Sequence, residues 1–259
     1  MAHQTPVARV SPVWIEWLIR WPAPADLADA GPAAAITAWS GLGYPRRALH
    51  LVACAERIVR DHGGEVPCDP QVLRTLPGVG EYTAAAVACF AFGRRTIVLD
   101  TNVRRVLARL FDGSPGVAAH VAAAERSRAA AVLPADPPRA ARWNEAVMEL
   151  GALICTARTP SCPNCPVRSH CRWHRAGRPG EPPPRRPQGY TGTDRQARGR
   201  LLHAVITDGP VPAAILAGTD TVWPHAEQRQ RALAGLVADG LLCCEDGNYI
   251  LPSAPATSR

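Results

Sequence analysis

Four cysteines, a glycine turn and one aspartate are the residues of this 259-residue chain whose types and spacing point to chemistry. Cys155, Cys162, Cys165 and Cys171 stand at C-x6-C-x2-C-x5-C. Four thiolates in one tight loop after a helix can wrap one metal centre, and four cysteines are the ligand set of a 4Fe-4S cluster. Zinc is a second reading, although structural zinc sites usually show two short Cys/His pairs and here only Cys162 and Cys165 are so paired. A disulfide pair is the third. The other cysteines, Cys54, Cys68, Cys89, Cys243 and Cys244, are scattered and read as packing residues.

The glycine turn is Leu76-Pro77-Gly78-Val79-Gly80, followed by Glu81-Tyr82-Thr83-Ala84-Ala85-Ala86. A helix, a tight turn at Gly78 and Gly80 and a second helix would present backbone N–H groups and a positive helix end to a phosphate. An ordinary helix–helix turn using glycine for positive φ has the same sequence. The aspartate is Asp100, which comes off the apolar run Val98-Leu99 into Thr101-Asn102-Val103. It reads as a helix N-cap, or as a carboxylate aimed at a developing positive charge.

The elements that must position these groups follow from the punctuation. Residues from about 12 to 155 read as successive helices separated by Pro and Gly. Trp14, Trp17, Leu18 and Trp21 recur at helical spacing, as do Ala48, Val52, Ala55, Ile58 and Val59 before His62-Gly63-Gly64. Asp69-Pro70 supplies a helix start. Val103, Val106, Leu107 and Leu110 continue the pattern, and so do Trp143, Ala146, Val147, Leu150, Leu153 and Ile154. Only Thr96–Leu99 looks strand-like, so the first domain is predicted all-α. Residues 176–189 are rich in Pro and Arg and read as a linker. Beyond it the pattern predicts helices over Arg198–Ile206, Pro212–Ala217 and Ala226–Ala238. A hairpin follows, with Leu241–Cys244 and Tyr249–Leu251 around Glu245-Asp246-Gly247-Asn248, which together suggest a small winged-helix-like module over 190–259.

Composition narrows the partners. The formal net charge is +7 and the pI about 9.2, which favours a polyanion such as nucleic acid. All 29 basic side chains counted as Lys or Arg are Arg, so Schiff-base chemistry on a lysine amine is excluded. No apolar run is long enough to span a bilayer and no secretory leader is visible, so a cytoplasmic protein is expected; a monomer is also expected.

The Gly turn, the Asp100 segment and the four-Cys loop, in this order, resemble the helix-hairpin-helix DNA glycosylases with an iron–sulfur cluster. Gln4-Thr5-Pro6-Val7-Ala8-Arg9-Val10, Trp39-Ser40-Gly41-Leu42-Gly43-Tyr44, Leu76–Tyr82 and Trp143-Asn144-Glu145 through Gly151 to Cys155 narrow the resemblance to the A/G-specific adenine glycosylases, the MutY family. It covers residues 1 to about 175. The resemblance implies excision of adenine mispaired with 8-oxoguanine or guanine in bacterial, nucleoid-associated base-excision repair. The base would be flipped from the duplex and the sugar would pass through an oxocarbenium-like species. Asp100 matches the stabilising carboxylate, with Asn102 beside it. Tyr82 stands where bifunctional relatives of the endonuclease III type carry a nucleophilic Lys, which implies a monofunctional enzyme that leaves an abasic site.

Gln4 resembles the residue that wedges into the duplex, Thr5, Leu42 and Tyr44 those that meet 8-oxoguanine, and Val7 and Glu145 those of the adenine pocket. Arg158 is a candidate phosphate contact. Two departures stand out. The family's acidic Glu aligns just before Met1, so a start further upstream is expected, as is weak excision by the chain as written. A catalytically impaired lesion-binding protein is one alternative, and a relative acting on thymine opposite guanine is another. Residues 190–259 are also too short and too helical for the NUDIX-like domain many relatives carry. Arg195, Arg198, Arg200, Arg229 and Arg231 of that segment are candidate backbone contacts.

Overall fold

The computed structural model describes residues 1, 5–39, 41–181, 189–218 and 222–253, so Gln4 lies outside the described residues. These form two compact units. The first comprises Met1–Pro67, Leu76–Gly78 and Pro187–Arg259, and the second Cys68–Thr75 and Val79–Arg186. The units therefore do not follow the linear order of the chain, because 190–259 clusters with the N-terminal helices.

In the first unit, helix α1 (Val7–Arg20) turns Trp17 and Trp21 inward, their rings edge-to-face at 4.8 Å, with Trp39 at 5.7 Å from Trp17. The predicted apolar stripe is only half buried: Trp14 and Leu18 are exposed beside Ile15 and Ile19. Helix α2 (Pro24–Ala38) is kinked at Gly31-Pro32, where Gly31 has φ 73° and Pro32 has no N–H to give. Helix α3 (Arg46–His62) buries Ala48, Val52, Ala55 and Ile58 on one face and stops at left-handed Gly63.

Residues 190–253 add α10 (Asp194–Asp208), β1 (Val211–Pro212), α11 (Ala213–Gly218), α12 (Ala226–Ala238), β2 (Cys243–Glu245) and β3 (Asn248–Ile250). The sequence expectation of a helix from Pro212 is corrected at its start: Val211 and Pro212 pair with Tyr249 and Asn248, giving an antiparallel sheet of order β1-β3-β2. The β2–β3 turn is made by Asp246 and Gly247, both at positive φ, as a two-residue hairpin turn of matching twist requires. One buried cluster joins Ile36, Trp39 and Val52 of the N-terminal helices to Leu201, Val205, Leu236 and Leu242 of this segment.

The second unit holds α4 (Pro70–Leu73), α5 (Glu81–Phe90), α6 (Thr101–Leu107), α7 (Ala123–Val132), α8 (Pro137–Glu149) and α9 (Arg172–Arg175). Three of these starts are capped by aspartates read from the sequence pattern or matching it. Asp69 accepts from Gln71 N at 2.7 Å, Asp100 from Val103 N at 2.6 Å and Asp136 from Arg139 N at 2.9 Å. Helices α6 and α8 each run on into a wider π-helical turn, Ala108–Asp112 and Leu150–Ile154. Val103, Leu107 and Ala129 form a core between α6, α7 and α8. The segment expected as a strand, Thr96–Leu99, is extended but pairs with no other strand among the described residues. Buried Asn144 takes the place of a neighbour, accepting from Val98 N at 3.3 Å and donating to Thr96 O at 3.0 Å. No helix of the described residues is long and apolar enough to cross a membrane.

Candidate active site

Two pieces of local geometry follow from residue type. In the hairpin, Gly78 sits at φ 74°, and a Cβ there would lie 2.7 Å from His50 Cβ. Only glycine fits that turn, for both conformational and steric reasons. Gly80 is the N-cap of α5 in extended conformation and has no side chain to satisfy the first N–H groups of that helix. The second piece is the start of α6. The Asp100 carboxylate caps the helix through Oδ1, and its Oδ2 accepts from Asn102 Nδ2 at 3.0 Å. Tyr82, half-buried, is close enough to feel this charge: burial first, and then Asp100, raise its phenol above the usual tyrosine value. Asp100, Asn102 and Tyr82 are thus brought together. Glu145 is not tied to them by any hydrogen bond among the described residues and sits exposed on α8.

Asn102 passes the network on. Its Oδ1 accepts from Arg105 Nη2 at 2.7 Å, and the same nitrogen donates to Gly151 O at 2.6 Å. Arg105 Nε donates to Cys155 O at 2.8 Å, so one buried guanidinium links the Asp100 cap to the first cysteine of the loop. Burial holds that guanidinium below its usual value. Gly151 allows the close approach, since a Cβ there would lie 2.7 Å from Asn102 Cβ.

The cysteine loop is organised around a second buried arginine. Arg109 is 1% exposed, stacks over the Trp173 ring at 4.4 Å, and donates to Thr156 O and Ala157 O at 2.7 Å each. It also reaches Cys155 Sγ at 3.3 Å, while Cys171 Sγ donates to Arg109 O at 3.5 Å. Cys155, Cys162, Cys165 and Cys171 all line one small cavity beside this arginine. Among the described residues, no three His, Cys, Asp or Glu side chains converge to hold a single metal ion. Of the remaining cysteines, Cys89 is buried as expected, whereas Cys244 is exposed and so is not a packing residue. Arg158 is exposed on the loop.

The other sequence candidates fall in the first unit. Thr5 is buried and its hydroxyl donates to Leu42 O at 3.3 Å; Leu42 is itself buried. Tyr44 is 43% exposed and left-handed at φ 51°, between Gly43 at φ 76° and Pro45, with the Arg47 guanidinium 4.7 Å over its ring. Trp39 Nε1 donates to Gly43 O at 2.8 Å, and Arg9 to Gly41 O, which fixes the turn. Val7, at the start of α1, is exposed. Arg229 is overturned as a backbone contact: it is buried, and its guanidinium donates to Ala217 O at 2.8 Å and Trp223 O at 2.5 Å. Sequence reasoning missed Asn144, Arg105 and Arg109, whose partners are remote in the chain.

Known proteins resemble this chain in sequence and fold. Residues 1–126 match the family model described as HhH-GPD superfamily base excision DNA repair protein. An adenine DNA glycosylase of Mycobacterium tuberculosis is 48% identical over 97% of this chain and 83% of that protein. Among solved structures, a thermostable thymine-DNA glycosylase aligns with a TM-score of 0.62 at 28% identity, over 67% of this chain and 80% of that one. A trapped endonuclease III–DNA covalent intermediate aligns with a TM-score of 0.59 at 25% identity, over 68% and 81%. The chain belongs to the adenine DNA glycosylase family, base excision repair N-glycosylases of the all-α helix-hairpin-helix superfamily.

Proposed function

We propose that the chain hydrolyses the N-glycosidic bond of adenine opposite 8-oxoguanine or guanine in duplex DNA at the bacterial nucleoid, and leaves an abasic site. The observation that carries the reading is the meeting of Asp100, Asn102 and Tyr82 at the start of α6 in a member of this family. The flipped nucleotide loses its base as positive charge develops on the sugar, and the water that completes the hydrolysis supplies a hydroxyl to the sugar and a proton to the departing adenine. The Asp100 carboxylate, held by Val103 N and Asn102, opposes that charge without having to reorganise. A phenol is protonated at neutral pH and the raised Tyr82 remains so, and the chain has no lysine to form a Schiff base, so we assign the attack to water. The Gly78–Gly80 turn presents α5 N–H groups to a phosphate, and Thr5, Leu42 and Tyr44 form the lesion-reading turn.

Cys155, Cys162, Cys165 and Cys171 would hold a 4Fe-4S cluster, and their shared cavity supports that assignment. Such a cluster would supply a visible chromophore, a one-electron centre and four bonds that fasten the loop.

The test is single-turnover adenine release from a duplex with adenine opposite 8-oxoguanine, beside duplexes with adenine opposite thymine and thymine opposite guanine. It is run on the 259-residue chain and on a version extended in frame through an upstream glutamate codon. Adenine release is expected, weak from the 259-residue chain and faster from the extended version, with the product strand intact until hot alkali. Asp100→Asn should slow release on the order of 10²–10³-fold yet keep duplex affinity, since asparagine also caps a helix. Release by neither version, or of thymine instead, overturns the assignment.

A further inference from the structure

One buried polar atom of the cysteine loop has nothing to bond to. Thr156 Oγ1, next to Cys155 in the chain, is buried and has no hydrogen-bond partner among the described residues. A native chain keeps few such groups, because a buried hydroxyl gives up its bonds to water and must find a replacement. The carbonyls around it are already matched. Thr156 O and Ala157 O accept from Arg109 at 2.7 Å each, and Cys155 O accepts from Arg105 Nε at 2.8 Å. A spare donor is therefore left beside the first cysteine of the set.

A second donor is already directed at sulfur. Arg109 Nη1 donates to Cys155 Sγ at 3.3 Å. The guanidinium is held there by its stack over Trp173 and by the bond from Nε to Pro115 O at 3.0 Å. Arg109 and Arg168 line the cavity that the four cysteines share, and no acidic residue occurs between Glu149 and Glu181 in the chain. A centre carried by four thiolates is anionic. Positive charge and hydrogen bonds at its sulfurs favour the more negative redox state, which raises the reduction potential.

We infer that the Thr156 hydroxyl and the Arg109 guanidinium are hydrogen-bond donors to the sulfurs of the 4Fe-4S cluster and raise its reduction potential. The inference rests on the assignment of a cluster to Cys155, Cys162, Cys165 and Cys171, and extends it from the ligands to the groups beside them. It gives the orphaned hydroxyl an acceptor. It also gives Arg109 a role beyond shaping the loop: with both donors in place the cluster resists one-electron oxidation.

The test compares the 259-residue chain with Thr156→Val, Thr156→Ser and Arg109→Lys, and with Arg158→Ser as control. Valine keeps the shape of threonine without the hydroxyl, serine restores the hydroxyl, and lysine keeps the charge without the planar fork. Arg158 is exposed on the same loop, where solvent and salt screen its charge. Iron content and visible absorbance per chain are measured first, and a spectroelectrochemical titration then gives the midpoint potential. Thr156→Val should load iron as the wild type does and shift the midpoint to lower potential. Thr156→Ser and Arg158→Ser should titrate with the wild type, and Arg109→Lys should fall below it. If either Thr156→Val or Arg109→Lys loads too little iron to titrate, the other decides alone. An unmoved midpoint in Thr156→Val, a shift that Thr156→Ser shares, or an equal shift in Arg158→Ser overturns the inference. A wild-type chain free of iron and colour sinks the cluster assignment as well, whereas a loaded wild type with an unmoved Thr156→Val midpoint sinks this inference alone.

Discussion

At the scale of single residues, Arg105 ties together groups far apart in the chain: its partners Gly151 and Cys155 lie 46 and 50 residues away, so type and spacing mark Asp100 and the four cysteines but not this side chain. Its role is to satisfy three acceptors at once: Asn102 Oδ1, Gly151 O and Cys155 O. Arg105→Gln keeps one donor group and strands the rest, and a buried acceptor left unpaired costs about 1–3 kcal/mol. The expected result is a lower melting temperature, less visible absorbance per protein and slower adenine release at saturating DNA. Arg105→Lys, which keeps the charge but lacks the planar fork, should recover only part of each. Undiminished absorbance in Arg105→Gln would show that the guanidinium does not organise the cysteine loop.

Whole elements were legible where a cap or a stripe marked them. Asp69-Pro70 and the apolar face of α3 behaved as their spacing required, except that Val59, expected on that face, is exposed. The π-helical turns after α6 and α8 carried no such mark, because they arise from how those two helices meet. Gly151, in the second turn, is where they approach: an added methyl would lie 2.7 Å from Asn102 Cβ and 2.8 Å from Asn102 O. One of those atoms is backbone and cannot move cheaply. Gly151→Ala should therefore cost about 1–3 kcal/mol by overpacking and should slow adenine release as well, since Asn102 supports Asp100. Normal release from a destabilised Gly151→Ala would separate the packing of this turn from catalysis.

The joint between α6 and α7 is electrostatic. Arg104, nearly fully buried, donates to Glu125 at 2.5 and 3.0 Å and to Ala118 O and His120 O at 2.9 Å. The Arg104 hydrogen bond is the largest influence holding the Glu125 carboxyl below its ordinary 4.5. A group depressed on folding contributes stability that is complete above its unfolded value and is lost as pH falls through the folded one. Glu125→Gln should thus lower stability at pH 7 by about 1.5–3 kcal/mol. The gap from wild type should shrink as the pH falls below 4.5. A gap that is constant across that window would mean the carboxylate's charge is not what joins the two helices.

On the scale of the molecule, the linear pattern suggested a repair domain, a linker and an appended module, because Pro-rich composition marks breaks in sequence and says nothing of what packs after them. The buried cluster is continuous between α1–α3 and residues 190–253. Ile36, Trp39 and Leu42 belong to that cluster with Leu201, Leu202 and Leu236 and are 1%, 2% and 4% exposed. Their cover therefore comes in part from the C-terminal segment. Uncovering a large apolar side chain forfeits about 1.5–3 kcal/mol, and a domain is stable by only about 5–15 kcal/mol. A chain ending at residue 189 should accordingly lose the cooperative, fluorescence-detected melting of Trp17 and Trp39 and bind the dye ANS, while the 259-residue chain does neither. The milder Leu201→Ala, a cavity at a site with no exposure, should lower the same transition by about 2–5 kcal/mol. If the truncated chain melts cooperatively at the full chain's temperature, the C-terminal segment is an independent appendage and α10 is dispensable to the core of α1–α3.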